Sequence, residues 1–197
     1  GGGEQTTFLI SGTYHRETTV LPGTTSYVRG NFHMNLNHHS TDQRFTISTS
    51  LFYTTDNNFL SGNTNGALSA IARGIPNYPI YDSSGKLNWT GGQENFVADG
   101  LSYSKNRTEN LNANFMLRYQ IHKSLNAEVN IGYNKIEINQ ITPSPITSQD
   151  PAYDPTGGDK FGNNGIRTYV VEPQLNFNSL ILGGKLDVLA GSTLQHS

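Results

Sequence analysis

The chain predicts an all-β fold, an antiparallel up-and-down sheet that forms a segment of a transmembrane β-barrel. Three observations carry that expectation. Long runs alternate between apolar and polar side chains, the period of two that gives a strand one greasy and one wet face. The connections alternate between tight turns and long loops. The aromatic residues of the apolar face fall in two bands, one near each end of the strands.

The hairpin spanning 107–141 shows the first pattern most plainly. Leu111, Ala113, Phe115, Leu117, Tyr119 and Ile121 share one face, against Asn112, Asn114, Met116, Arg118, Gln120 and His122 on the other. After a short turn the pattern resumes with Leu125, Ala127, Val129, Ile131 and Tyr133 against Asn126, Glu128, Asn130 and Asn134. Each strand is roughly a dozen residues, about 40 Å long at about 3.4 Å per residue. Strands of soluble domains usually run about 5–6 residues, whereas a bilayer crossing takes about 9–11.

The other elements follow in order. Residues 6–16 alternate Phe8, Ile10, Gly12 and Tyr14 against Thr7, Ser11, Thr13 and His15, with Leu9 on the polar side. Pro22-Gly23 marks a loop. Residues 26–38 place Val28, Phe32, Met34 and Leu36 opposite Arg29, Asn31, His33 and Asn35. A polar turn, Ser40 to Gln43, leads into 44–55 with Phe45, Ile47, Leu51 and Tyr53 on one face. The stretch 56–106 is then a loop of roughly fifty residues, too long for a compact soluble domain but ordinary on the outer side of a barrel. Within it, Ala67 to Arg73 predicts a short helix stopped by Gly74 and Pro76. The strands 107–121 and 125–141 are the hairpin above, and 142–166 is a second long loop. Residues 167–179 place Tyr169, Val171, Leu175 and Phe177 on the apolar face; Pro173 removes a ladder donor and predicts an edge or a bulge. After Gly183-Gly184, residues 185–196 carry Leu186, Val188, Ala190 and Leu194.

Tyr14, Tyr53, Tyr133 and Tyr169 lie toward the long-loop ends, and Phe8, Phe45, Tyr119 and Phe177 toward the short-turn ends. Two such girdles flanking an apolar belt are expected where aromatic rings sit at headgroup level. Seven strands is an odd number and leaves two unpaired edges, which lipid does not tolerate, so the expectation is a section of a larger barrel. Gly1-Gly2-Gly3-Glu4 does not read as a signal peptide, which fits a processed chain or a part of a longer one.

Composition narrows the function classes. A net charge of −2 with no Lys/Arg run speaks against nucleic acid. A mean hydropathy of −0.50 would ordinarily argue against a membrane protein, and no stretch of about 18 apolar residues exists for a spanning helix, but a barrel escapes both tests because its strands are half polar. With no cysteine there are no disulfides or thiolate sites. No enzyme constellation is found. His38-His39 is the one close histidine pair, and adjacent strand residues point to opposite faces. Asp150, Asp154 and Asp159, set among prolines and glycines, are weak calcium candidates that lack the spacing and bidentate glutamate of an EF-hand. The long loop carries Tyr78, Tyr81, Trp89 and Tyr103, rings that can stack on a sugar while nearby amides and carboxylates bind its hydroxyls. Packing within the loop, or contact with a lid protein, explains the same rings. The polar residues Arg29, Asn31, His33, Asn112, Asn114, Arg118, Glu128 and Asn130 are expected to face the pore.

Three stretches carry a family resemblance: Phe8 to Tyr14 with Tyr27 to Phe32; Ile75 to Lys86, in which Pro76, Pro79, Tyr81, Asp82 and Gly85 stand out; and Leu186 to Gln195. In this order they resemble the barrel of SusC/RagA-type TonB-linked outer-membrane transporters. The resemblance implies a barrel of about 22 strands closed by an N-terminal plug, with this chain supplying about a third of the wall and no plug. It further implies a multi-pass location in the bacterial outer membrane among its lipid, and a SusD-like surface lipoprotein as lid. Energy would come from TonB through the plug, and the cargo would be oligosaccharide or peptide. The alternatives are a soluble or surface all-β glycan-binding module, and an adhesin or autotransporter barrel.

Overall fold

The computed structural model describes residues 1–20, 25–61, 64–93 and 95–197. The chain is all-β: a single antiparallel sheet in up-and-down order, with two short helices in the longest loop. The strands are β1 (Thr6–Thr18), β2 (Ser26–His39), β3 (Phe45–Ser61), β4 (Tyr103–His122), β5 (Leu125–Ser144), β6 (Gly158–Ile181), β7 (Gly184–Gly191) and β8 (Leu194–His196). Sequential neighbours pair from β1 to β7, and β8 also pairs with β6. The helices are α1 (Thr64–Arg73), ending at the expected stop, and α2 (Phe96–Leu101).

Residues paired directly across an antiparallel ladder share a face. Phe8 faces Leu36, Leu36 faces Thr49, Thr49 faces Phe115, Phe115 faces Ile131 and Ile131 faces Val171. The apolar rows of every strand therefore lie on one side of the sheet, with Phe32 and Phe115 together as the alternation requires. Tyr133 faces Tyr169 with ring centroids 4.9 Å apart, and Phe45 faces Tyr119. The polar rows line two hollows of about 670 and 760 Å³, the first crossing β2 to β6, so the sheet curls with its polar face inward.

Among the described residues, no second layer covers the convex, apolar side. Ile10 is 58% exposed and Tyr14 72%, and Phe32, Phe115, Tyr119, Ile131, Tyr169, Leu175 and Val188 are also exposed. Scattered exposed apolar residues are normal on a protein surface, but an apolar face that runs across seven strands, exposed on six and half-buried on β3, is not.

The turns at one end are tight. Ser40 to Arg44 closes on Gln43 N–H to Ser40 O at 2.8 Å, with the Asp42 carboxylate accepting from Arg44 N–H. The Ser40 hydroxyl also donates to Asp42, and these bonds hold its carboxyl below the ordinary value. Lys123-Ser124 joins β4 to β5 after a register shift between Gln120 and His122. Leu182 (φ 53°) and Gly183 (φ 80°) join β6 to β7, the positive pair of a type I′ turn.

The structure departs from the sequence expectation in three places. β3, β4, β5 and β6 run beyond their expected ends, so the long loops shrink from 56–106 to 62–102 and from 142–166 to 145–157. In the β6 extension the hydrophobic alternation fades through Gly162-Asn163-Asn164-Gly165, yet the backbone ladder continues past it. Strand 185–196 is split into β7 and β8, although the pairs Gln174–Gly191 and Val171–Leu194 keep one register. The break lies opposite Pro173, which accepts from Ser192 N–H at 3.1 Å but has no N–H to return. Pro173 thus marks neither an edge nor a bulge: β5 pairs through it without interruption, because its missing donor points toward Ser192.

Candidate functional site

Two regions hold the polar and aromatic residues singled out above: the concave wall and the loop assembly at the long-loop end.

On the wall, Arg29, Asn31, His33, Asn112, Asn114, Arg118, Glu128 and Asn130 all fall on the inward face by register. Side chains bond across strands there. Asn31 donates to the Thr13 hydroxyl at 2.9 Å and accepts from Thr54 at 2.9 Å, while Asn134 donates to Asn112 at 2.6 Å. Arg29 pairs with Asp56 at 3.7 Å. The result is a surface of amides and hydroxyls, fixed in place by its own cross-strand hydrogen bonds and offering both donors and acceptors. His38 and His39 point to opposite faces, each on a threonine hydroxyl, Thr6 at 2.8 Å and Thr46 at 3.1 Å.

The loop assembly is organised by two buried asparagines. Asn88 donates to Pro79 O at 2.8 Å and accepts from Thr90 N–H and hydroxyl. Asn95 donates to Ile80 O at 2.9 Å and Asn88 O at 3.2 Å, and caps α2 by accepting from Val97 N–H at 3.1 Å. Between Ile80 and Asn88 lies a small hairpin bridged at Tyr81 and Leu87, whose turn needs Gly85 at φ 80°. Asp82 accepts from Ser84 N–H, Ser84 hydroxyl and Lys86 N–H, and these bonds hold its carboxyl below the ordinary value. α1 packs on α2, and α2 on the 3₁₀ turn Ile146–Ser148 of the other loop, where Ser102 and Ser148 hydroxyls meet at 3.0 Å.

The structure separates the four candidate aromatics. Trp89, half-buried, opens on a hollow of about 730 Å³ shared by both loops, with Asp82, Lys86, Gln149 and Asp150 on its walls. Tyr78 donates its hydroxyl to Thr90 O and lines a different, largely apolar hollow of about 400 Å³ with Val20, Ile75 and Phe96. Tyr81 is 52% exposed on the hairpin, and Tyr103 packs edge-on against Phe59 at 5.0 Å. Gln149 was not singled out in the sequence, and Asp82 stood out there only through the family resemblance of its Asp-Ser-Ser-Gly turn, not as a residue of this hollow.

The three loop aspartates are occupied separately. Asp150 caps a 3₁₀ turn by accepting from Ala152 N–H, Asp154 takes a left-handed conformation at its end, and Asp159 sits in β6 opposite Pro143. Among the described residues no group of three or more His, Asp or Glu side chains is placed to hold a metal ion. No protein-family model matches the chain, and no curated protein matches it.

Proposed function

We propose that this chain is part of the barrel wall of a SusC/RagA-like, TonB-dependent outer-membrane importer of oligosaccharide or peptide. The observation that supports it best is the open convex face, where continuous apolar rows between two aromatic bands meet no protein layer. The rows from Tyr119 to Leu111 span about 27 Å along β4, or about 21 Å at a tilt of roughly 40°, near the band of about 25 Å that such barrels present to lipid. Polar residues line the concave side, as a wet or plugged lumen requires. Tight turns at one end and long loops at the other follow the periplasmic and extracellular pattern.

On this reading β1 and β7 pair with further strands, since open edges in lipid cost several kcal/mol for each unsatisfied group. Cargo binds at the outer face under a SusD-like lid. TonB then acts through a plug, and the wall serves as a rigid, hydrogen-bonding conduit in which no covalent bond changes. The test is demand for an amphiphile. The complete barrel that contains this wall is expected to reach a folded, strand-rich state only with detergent or bilayer, and this chain by itself is not expected to fold in plain buffer. A monodisperse folded monomer in plain buffer, seen by light scattering and circular dichroism, overturns the reading in favour of a soluble module.

A further inference from the structure

We propose that the outward face immediately beyond the tyrosine band is a docking site for the phosphate groups of a membrane-lipid headgroup, a proposal that rests on the bilayer reading above. Lys135 faces Arg167 directly across β5 and β6, one outward position beyond the Tyr133–Tyr169 pair. Like charges directly opposite one another destabilise a sheet. One carboxylate, Glu137, serves both cations, at 3.0 Å from Lys135 and 2.8 Å from Arg167. Arg107 lies farther out on β4, paired with Glu109 at 2.5 Å, and Lys105 and Arg16 extend the same face. Counting Asp159 still farther out, five cations oppose three carboxylates.

The excess is confined to this end. Among the described strand residues, outward positions at the short-turn end carry no Lys, Arg, Asp or Glu. Rings that sit at headgroup depth therefore lead directly to guanidinium and ammonium groups, with the Arg167 and Arg107 side chains 60% and 56% exposed. Guanidinium groups form paired, charge-assisted hydrogen bonds to phosphate, which would complete a cluster that Glu137 only partly neutralises. A neutral or zwitterionic headgroup offers no such net complement. The fitting occupant is an anionic, phosphate-bearing lipid of the leaflet on the long-loop side.

The test uses the complete barrel that contains this wall, purified in a phosphorus-free detergent and titrated with diphosphoryl lipid A. The same lipid stripped of phosphate and free inorganic phosphate are the comparisons, and bound lipid is counted by native mass spectrometry. Lys135→Gln/Arg167→Gln is expected to weaken lipid A binding about tenfold, the effect of losing roughly one charge-assisted contact. Arg167→Lys with Lys135→Arg retains binding, as does Arg29→Gln on the concave face. Equal binding by wild type and the Gln double variant overturns the site, and so does equal binding of the two lipid forms. Competition by inorganic phosphate at concentrations matching the lipid also overturns it, since the site would then serve a free anion. Insertion into vesicles is measured in parallel. Failure to insert rejects the membrane reading itself, whereas normal insertion without phosphate preference rejects this site alone.

Discussion

The described residues that are buried cluster at one end of the molecule. Thr25, Ser61 at the last position of β3, Asn88, Asn95 and Ala98 belong to the long-loop end, and elsewhere among the described residues only Asn126 of β5 is buried. The loop assembly is closed by its own hydrogen bonds, with the Asn88 and Asn95 side chains acting as its core. The wall, by contrast, is held by a backbone ladder that runs from β1 to β7 and, among the described residues, has no core of its own. Its apolar rows contribute stability only when something else covers them. One region carries its stabilising partners within the chain, and the other depends on its surroundings.

Substitutions can break that contrast. The largest effect is expected at the centre of the apolar belt. Phe115→Arg, facing outward, should cost about 2–4 kcal/mol in a folding titration of the complete barrel in bilayers, against about 0–1 kcal/mol for Asn114→Arg on the concave side. Equal costs would mean that the two faces see the same surroundings. Next comes Asn95→Ala, which strands the carbonyls of Ile80 and Asn88 and uncaps α2, at about 1–3 kcal/mol. Hydrogen exchange should accelerate across 78–101 while β4 to β6 stay protected; uniform acceleration would show the loops and wall to be one cooperative unit.

Leu182→Asn sharpens the contrast from the other direction. Leu182 is fully exposed and holds φ 53° in a turn that favours Asn-Gly, so the change removes strain without removing packing. A gain of about 1 kcal/mol is expected, read as slower unfolding. The smallest effect is acid sensitivity of the 82–86 turn. Asp82 has a folded value below its ordinary 3.8 because Ser84 and Lys86 donate to the carboxylate. Its contribution is therefore complete above that value and is lost as pH falls through the lower folded one. The Ser84 and Lys86 amide resonances should shift in that acid window, and Asp82→Asn should abolish the shift.

Much of the fold was legible because alternation of side chains is a local property. Leu111 to Ile121 declares its two faces without reference to any partner, and α1 announces its end through Gly74 and Pro76. The strand ends were less legible. Gly162 to Gly165 reads as loop by composition, yet it lies on a ladder opposite Glu137 to Gln140 that only pairing reveals. The candidate site was the least legible part. Nothing in the spacing of Trp89 and Asp150 indicates that one hollow would hold both, or that Tyr78 and Tyr103 would turn to other partners.

By itself, then, the sequence determined which side chains share a face, where the chain turns back, and that the strands follow one another in order. These depend on a two-residue period and on turn chemistry, both written within a few residues. Tertiary structure alone decided how far each ladder runs, that the break between β7 and β8 falls opposite Pro173, and which loop residues meet. Those outcomes depend on residues far apart in the chain coming within hydrogen-bonding distance, and no local pattern encodes that.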